Sequence, residues 1–476
     1  LNLQFARGRV TLSPAGVQGA GELATVSPTL GGFTPTGVEG TAELSVPTLT
    51  TGSAVATANP LALPVAVSTQ TQPSVGTYTA LTYYNAADVA QGTNPRNMPV
   101  GTYYLDPTSG LKVWRLTSAT QPQPATAYLN GPDYAEGGLR VGRPTGTVYP
   151  LLINAWNGGT PGWHVDTFDI ATGAVTKRCT APGAGGGAGE GTKGFSYTTP
   201  NVLYVTDGAF LRKYDVSGAT AVEIVSAPFP KNLSAYLHGQ SAFYWFSSSL
   251  DDRWFCLMAG SGGPWVVGFD AQTDTVYEKQ VTGIDEPKMD KGGRYVWCQG
   301  STPYTLDFVT GSLRTISGSA PAYRGHAGVG VGYAFSNPND GRAEWALDLR
   351  TETPSWTYPG TAFNLDNMYA HGGWVDQPAG YSTAQWTAIA YQTGGSSEPS
   401  PVLYRYGAIG IRKLDGTDNR FLCHAMNAGN INTTAEYYGN TIWPNFAPDG
   451  RFVMFKSNGF QSATIGYAFA AILPTS

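Results

Sequence analysis

One local pattern limits what this chain can fold into: an aspartate ends a short apolar run, a glycine follows within four residues, and a second strand-like run begins. The clearest copies are Leu105-Asp106-Pro107-Thr108-Ser109-Gly110, Phe168-Asp169-Ile170-Ala171-Thr172-Gly173 and Leu306-Asp307-Phe308-Val309-Thr310-Gly311, and weaker ones stand at Asp215, Asp270, Asp348 and Asp415. The runs after the turn, such as Lys112–Leu116, Ala174–Lys177 and Ser312–Ile316, alternate apolar and polar residues. A short Asp- and Gly-containing linker between two such runs is a hairpin signal. The carboxylate can accept backbone N–H groups across the turn, and glycine takes the positive φ that the turn needs.

Used as a ruler, the seven aspartates are separated by 63, 46, 55, 37, 41 and 67 residues. These intervals average close to the roughly 40–50 residues of a four-stranded propeller blade. A second repeat supplies the other half of a blade: Glu286-Pro287-Lys288-Met289-Asp290-Lys291-Gly292-Gly293-Arg294-Tyr295-Val296-Trp297 matches Trp443–Phe455, each a strand, a turn and a second strand. After Asn458 only one apolar strand, Ile465–Leu473, remains, so the last blade lacks an outer strand. The unpartnered hairpin at Asp106 can supply it, closing the ring and removing two exposed sheet edges. The expected fold is therefore all-β: a seven-bladed β-propeller over residues 83–476, closed by strands from both ends and preceded by an extended β-repeat arm over residues 1–82. With 61 glycines, 33 prolines and only 13% charged residues, composition agrees, and no long window has helical periodicity.

The arm has a different composition. Up to Gly76 it has no Trp or Tyr, and its only charges are Arg7, Arg9, Glu22, Glu39 and Glu43. The run from Pro14 to Leu23 returns 21 positions later from Pro35 to Leu44. Units this short cannot bury a core alone, so they need neighbouring copies or another surface; the alternative is a low-complexity linker. The amino end, Leu1–Arg9, does not have the order of a secretory signal, and it lacks an initiator Met, as a processed or trimmed chain would. A net charge of −5 gives no electrostatic warrant for nucleic-acid binding, and no apolar run reaches the roughly 18 residues of a spanning helix. The four cysteines, Cys179, Cys256, Cys298 and Cys423, show no C-x-x-C spacing and read as free thiols buried in strands.

The blade pattern, with its Pro448-Asp449-Gly450 turn, resembles the seven-bladed propellers of oligogalacturonate-lyase-like and TolB-like proteins over about residues 100–476. The Gly-Val-x-Gly repeats of residues 10–50 resemble those of tailed-phage head fibres and decoration proteins, which implies a particle anchor. The WD dipeptide and the sialidase box are absent. The run Pro182–Lys193 is glycine-rich like a phosphate loop but lacks the G-K-[ST] ending and a following helix, and reads as a surface loop.

Aligning blades on their turns places His238, Glu286, His326 and His371 at equivalent positions just before the inner strands of blades three to six. Inner strands line a propeller's channel, so these four residues are expected to form a ring at one mouth. His238, His326 and His371 are the candidate ligands of a divalent metal, the only cofactor expected. His326 and His371 are the candidate catalytic residues, since imidazole titrates near neutrality. The alternative is that these imidazoles satisfy backbone groups at strand starts. Oligogalacturonate-lyase-like proteins carry a His-rich metal site in this mouth, so the resemblance implies abstraction of the proton α to a uronate carboxyl. Against it, only Arg324, Arg140 and Lys193 stand near enough to serve as carboxylate-binding cations. Trp374 and Trp443 adjoin the ring and are candidate sugar platforms, whereas the other tryptophans pack between blades. His164 and His424 fall on outer parts of their blades and read as structural.

Three functions follow. The first is a virion-surface or fibre-type protein, on a virion or otherwise extracellular. Its propeller contacts host glycan and its arm binds other virion proteins or copies of itself. The second is a polysaccharide lyase, and the third a purely structural interaction module. Partners are thus a glycan and particle proteins, with no nucleic acid and no membrane insertion.

Overall fold

The computed structural model describes residues 3–6, 9–12, 98–106, 109–122, 127–129, 140–157, 160–183, 192–260, 263–300, 302–316, 327–336, 345–351, 354–357, 373–375, 385–391, 408–415, 418–425, 442, 444–457 and 467–473. The chain divides into two units, Leu1–Pro60 and Leu61–Ser476. In the first, Leu3–Ala6 pairs antiparallel with Arg9–Leu12. The repeat of residues 14–44 and the boundary expected at residue 82 lie outside the described residues.

The second unit is an all-β propeller of seven sheets. Blade one carries Ala127–Leu129, Val148–Asn157, Thr160–Asp169 and Val175–Thr180; blade three Phe243–Ser248, Trp254–Ala259, Trp265–Asp270 and Thr275–Gln280; blade four Ile284–Met289, Tyr295–Gly300, Tyr304–Asp307 and Ser312–Thr315. Blade five runs from Ala327–Val329 to Pro354–Thr357 and blade six from Gly373–Val375 to Asn419–His424, both four-stranded. Blade two, Lys193–Phe195 to Val222–Glu223, has Lys231–Asn232 as a second short partner of Phe210–Asp215. Second strands such as Trp254–Ala259 and Phe452–Ser457 are buried at every residue, because adjacent blades cover both faces. Outer strands such as Thr275–Gln280 expose alternate residues. The one described helical piece is a single turn, Ser234–Tyr236.

Ring closure takes the expected form with one addition. Blade seven is five-stranded: Asn445–Phe446, Phe452–Ser457 and Tyr467–Ile472 come from the carboxyl side, and Lys112–Arg115 then Tyr103–Leu105 complete it from the amino side. Phe469 faces Arg115 and Ala471 faces Val113 across the seam. The Asp106 hairpin thus supplies two outer strands, not one. Trp114 lies against Gly173 of blade one, where a Cβ would come within 1.9 Å of its ring. Asp106 itself is 1% exposed, and its Oδ2 accepts from the backbone N (2.7 Å) and pairs with Nδ1 (2.9 Å) of His424, the last residue of blade six.

The turn aspartates work as the sequence implies. Oδ1 accepts the N–H two or three residues on in Asp106 (Ser109), Asp169 (Ala171), Asp215 (Ser217), Asp270 (Gln272), Asp307 (Val309) and Asp348 (Arg350). Gly110, Gly173 and Gly311 then take φ of 69°, 80° and 68°. Two of these carboxylates also receive an arginine from the start of the second strand, Arg253 to Asp270 and Arg294 to Asp307. Aspartates in the turn between the first and second strands, at the same end of the blades, join neighbours: Asp252 accepts from Tyr197 and Thr198, Asp290 from Gly332, and Asp449 from the Tyr149 hydroxyl at 2.6 Å. All four cysteines are free and buried.

Candidate functional site

Of the four residues expected at the mouth, His238 and Glu286 fall on described chain, and their surroundings differ. His238 belongs to the connection between blades two and three, five residues before the inner strand Phe243–Ser248. Its imidazole turns to the outer strands of blade three. It stacks on Trp265 of the third strand at 3.8 Å and 11°, and its Nε2 lies 2.8 Å from Glu278 Oε2 on the fourth. The His238 backbone has φ 51° and Gly239 follows at φ 83°. A left-handed histidine costs about 1 kcal/mol, which the stacked ring and the carboxylate offset. The imidazole and Glu278 are each partly exposed, with side-chain exposures of 26% and 38%.

Glu286 is inside the inner strand Ile284–Met289, 2% exposed, with Lys288 Nζ 2.7 Å from its carboxylate. Lys288 also donates to the Ala327 carbonyl of blade five at 2.8 Å and reaches Gln299 Oε1 at 3.4 Å. The pair therefore sits in the blade-four to blade-five interface with its charge balanced. The cause is a β-bulge: Ile284 pairs with Gly300 and Glu286 with Gln299, leaving Asp285 as the extra residue. Asp285 is the exposed residue of the strand, so the carboxylate in contact with water here is one position earlier than the alignment places it.

His326, His371 and Trp443 lie outside the described residues, immediately or two residues before the inner strands Ala327–Val329, Gly373–Val375 and Asn445–Phe446; Trp374 lies within Gly373–Val375. Among the described residues no group of three His, Cys, Asp or Glu side chains is disposed to hold a metal. Trp265 was expected only to pack between blades, and neither Glu278 nor Lys288 carries a local sequence signal. Their partnerships span 40 residues and a strand bulge.

The remaining described histidines are structural. His424 closes the ring through Asp106, and His164, in the third strand of blade one, is pushed down to about 4 by burial and by the Lys177 charge. Arg140 and Lys193 come together at the inner edges of blades one and two: Val141 bridges to Leu151, Lys193 opens its blade's inner strand, and Arg140 Nη1 donates to the Lys193 carbonyl at 3.2 Å. Arg324 lies outside the described residues. No described helix is long and apolar enough to cross a membrane.

A scan of protein families finds no match to this chain, and none is found among curated proteins. Among solved structures, the chain is similar to an oligogalacturonate lyase in complex with manganese, at 12% identity and TM-score 0.48, over 78% of this chain and 96% of that one. It is similar to the oligogalacturonate lyase of Vibrio parahaemolyticus at 11% and 0.45, over 78% and 96%, and to TolB from Acinetobacter baumannii at 10% and 0.33, over 69% and 80%. None of the three bears on the chemistry of this chain.

Proposed function

We propose that this chain is a virion-surface or fibre-type protein whose propeller contacts carbohydrate on a host surface and whose amino-terminal arm binds particle proteins or further copies of the chain. The observation that carries the reading is His238: a partly exposed imidazole, held on left-handed backbone, stacked on Trp265 and fixed by Glu278. Ordered aromatic rings beside a carboxylate offer a sugar an apolar face and a hydrogen-bond acceptor at once, with little rotamer entropy left to lose. The exposed Gln240 and Gln280 flank this cluster and add amide donors. The contrast between a segment without Trp or Tyr up to Gly76 and the Trp- and Tyr-rich remainder supports a division into anchor and reader.

The test is binding of the full chain to an immobilised glycan panel, with His238→Ala and Glu278→Gln alongside. Specific binding that falls at least tenfold in both variants, without loss of thermal stability, is expected; binding unchanged in both would refute the site. Release of unsaturated uronate from the panel, lost in His326→Ala or His371→Ala, would favour the lyase reading instead. Deleting residues 1–82 should leave glycan binding intact and abolish self-association or particle attachment.

A further inference from the structure

Blades one and two meet over a cluster of buried polar side chains that the glycan reading does not use. Asn154, in the second strand of blade one, is 0% exposed, and both its amide oxygen and its amide nitrogen are without a partner. It pairs across the ladder with Trp163, so the two side chains share the face that packs on blade two. The Arg140 guanidinium lies over the Trp163 ring at 4.8 Å and is also fully buried. Lys193, across the interface, is 1% exposed, and its ammonium has one hydrogen bond, a long one of 3.5 Å to Thr192 Oγ1. The acid that acts on it, Asp207, stands 3.5 Å from Arg212 Nε.

A buried amide without partners costs about 1–3 kcal/mol and a buried charge more, so such groups persist where something meets them. Water could satisfy the Asn154 amide but would leave the Lys193 charge uncompensated. An anion serves both. The backbone comes close to the ammonium: at Gly183, the described end of the glycine-rich run, a Cβ would stand 3.2 Å from Lys193 Nζ and 2.5 Å from Val205 Cγ1. Only glycine, here at φ 87°, lets the chain close so near the ammonium. That closeness caps the ammonium with backbone on the Gly183 side.

We propose that Lys193, Asn154 and Arg140 form a buried site for a small inorganic anion, chloride in a physiological medium, that clamps blade one to blade two. The ammonium and the Asn154 Nδ2 donate to it, Arg140 adds positive potential, and Gly183 lets the backbone close beside the ammonium. Burial and the Arg140 charge together push Lys193 down to about 8, and an anion in contact would raise it back toward its ordinary value.

The experiment is thermal unfolding of the full chain at fixed ionic strength, with sodium chloride or bromide replacing sodium gluconate, whose anion is too large for the site. A rise of about 2–4 °C in chloride is expected, and its disappearance in Lys193→Met. Equal midpoints in chloride and gluconate would overturn the proposal, as would an undiminished chloride effect in the variant. Should Lys193→Met not fold, anomalous scattering from a bromide-grown crystal of the natural sequence decides: a peak between Lys193 and Asn154 supports the site, and no peak removes it.

Discussion

Asp166 gives a direct measure of how dry the interior of blade one is. It lies in the third strand, Thr160–Asp169, is 0% exposed, and neither carboxylate oxygen has a hydrogen-bond partner. Its cross-strand neighbour is Lys177, whose charge only partly offsets burial, and the carboxyl is pushed up from 3.8 to about 7. A raised acid weakens folding as pH rises: the penalty begins near the unfolded value of about 3.8 and is complete once pH exceeds the folded value. At 1.36 kcal/mol per pKa unit, moving the group from 3.8 to about 7 costs about 4 kcal/mol above pH 7. Replacing Asp166 by asparagine keeps the shape and removes the charge. Urea unfolding of both proteins at pH 4 and pH 8 should show near-equal stability at the acid end and a variant more stable by about 2–4 kcal/mol at the alkaline end. A difference that does not change with pH would refute the reasoning, because it would mean that the carboxyl is hydrated or already neutralised by Lys177.

Asp106 should behave with the opposite sign. Pairing with His424 and two backbone N–H groups outweighs burial and holds its carboxyl below the ordinary range, so its stabilisation is present above about pH 4 and is lost as pH falls through the folded value. Asp106→Asn should cost about 3 kcal/mol at pH 6 and flatten the acid limb of the unfolding curve; a variant that keeps the full acid sensitivity would show that the seam is held elsewhere. Gly173→Ala brings a Cβ into the Trp114 ring at a φ of 80° and should destabilise by about 3 kcal/mol, against about 1 kcal/mol for Gly110→Ala, where the Cβ meets nothing within 4 Å. Equal costs at the two glycines would argue that Trp114 does not pack against blade one. Lys288→Met should cost about 3–5 kcal/mol by removing the cation 2.7 Å from the buried Glu286 carboxylate, and adding Glu286→Gln should recover at least half, as read from a double-mutant cycle in urea. Additive losses would count against a buried pair.

The outer half of each blade was legible in the sequence because its determinants are local. An aspartate oxygen reaching the N–H two residues ahead, and a glycine at positive φ, are decided within six residues, so Asp106, Asp169 and Asp307 mark their turns wherever the chain takes them. Closure was legible for a related reason: a last blade one strand short and a first hairpin without partners have one economical solution, although the count of strands supplied was not readable. The inner half is decided by contacts 40 to 300 residues apart, such as His238 with Glu278 and Tyr149 with Asp449.

That difference explains why His238 and Glu286 have surroundings that the sequence does not reveal. Side chains on a strand alternate faces, so one inserted residue sends every later side chain to the other side. The inner strand of blade four carries such an insertion between Ile284 and Glu286, and that of blade three carries one between Tyr244 and Ser247, with Trp245 at φ 58°. Turn-based alignment counts residues from the outer hairpins and carries no information on these bulges, which are fixed by the neighbouring blade. In blade four it names the strand but not the exposed position, whereas His238 precedes both its strand and the bulge and is placed by its stack on Trp265. Asp285 meets water where Glu286 was expected, and His238 leaves the inner edge altogether. The same reasoning bears on His326 and His371: Ala327–Val329 pairs with Tyr333–Ser336 without a register shift, as does Gly373–Val375 with Trp386–Ala388. Alternation is unbroken on those two strands, and His326→Ala and His371→Ala are therefore the first variants in which to look for chemistry at the inner edge.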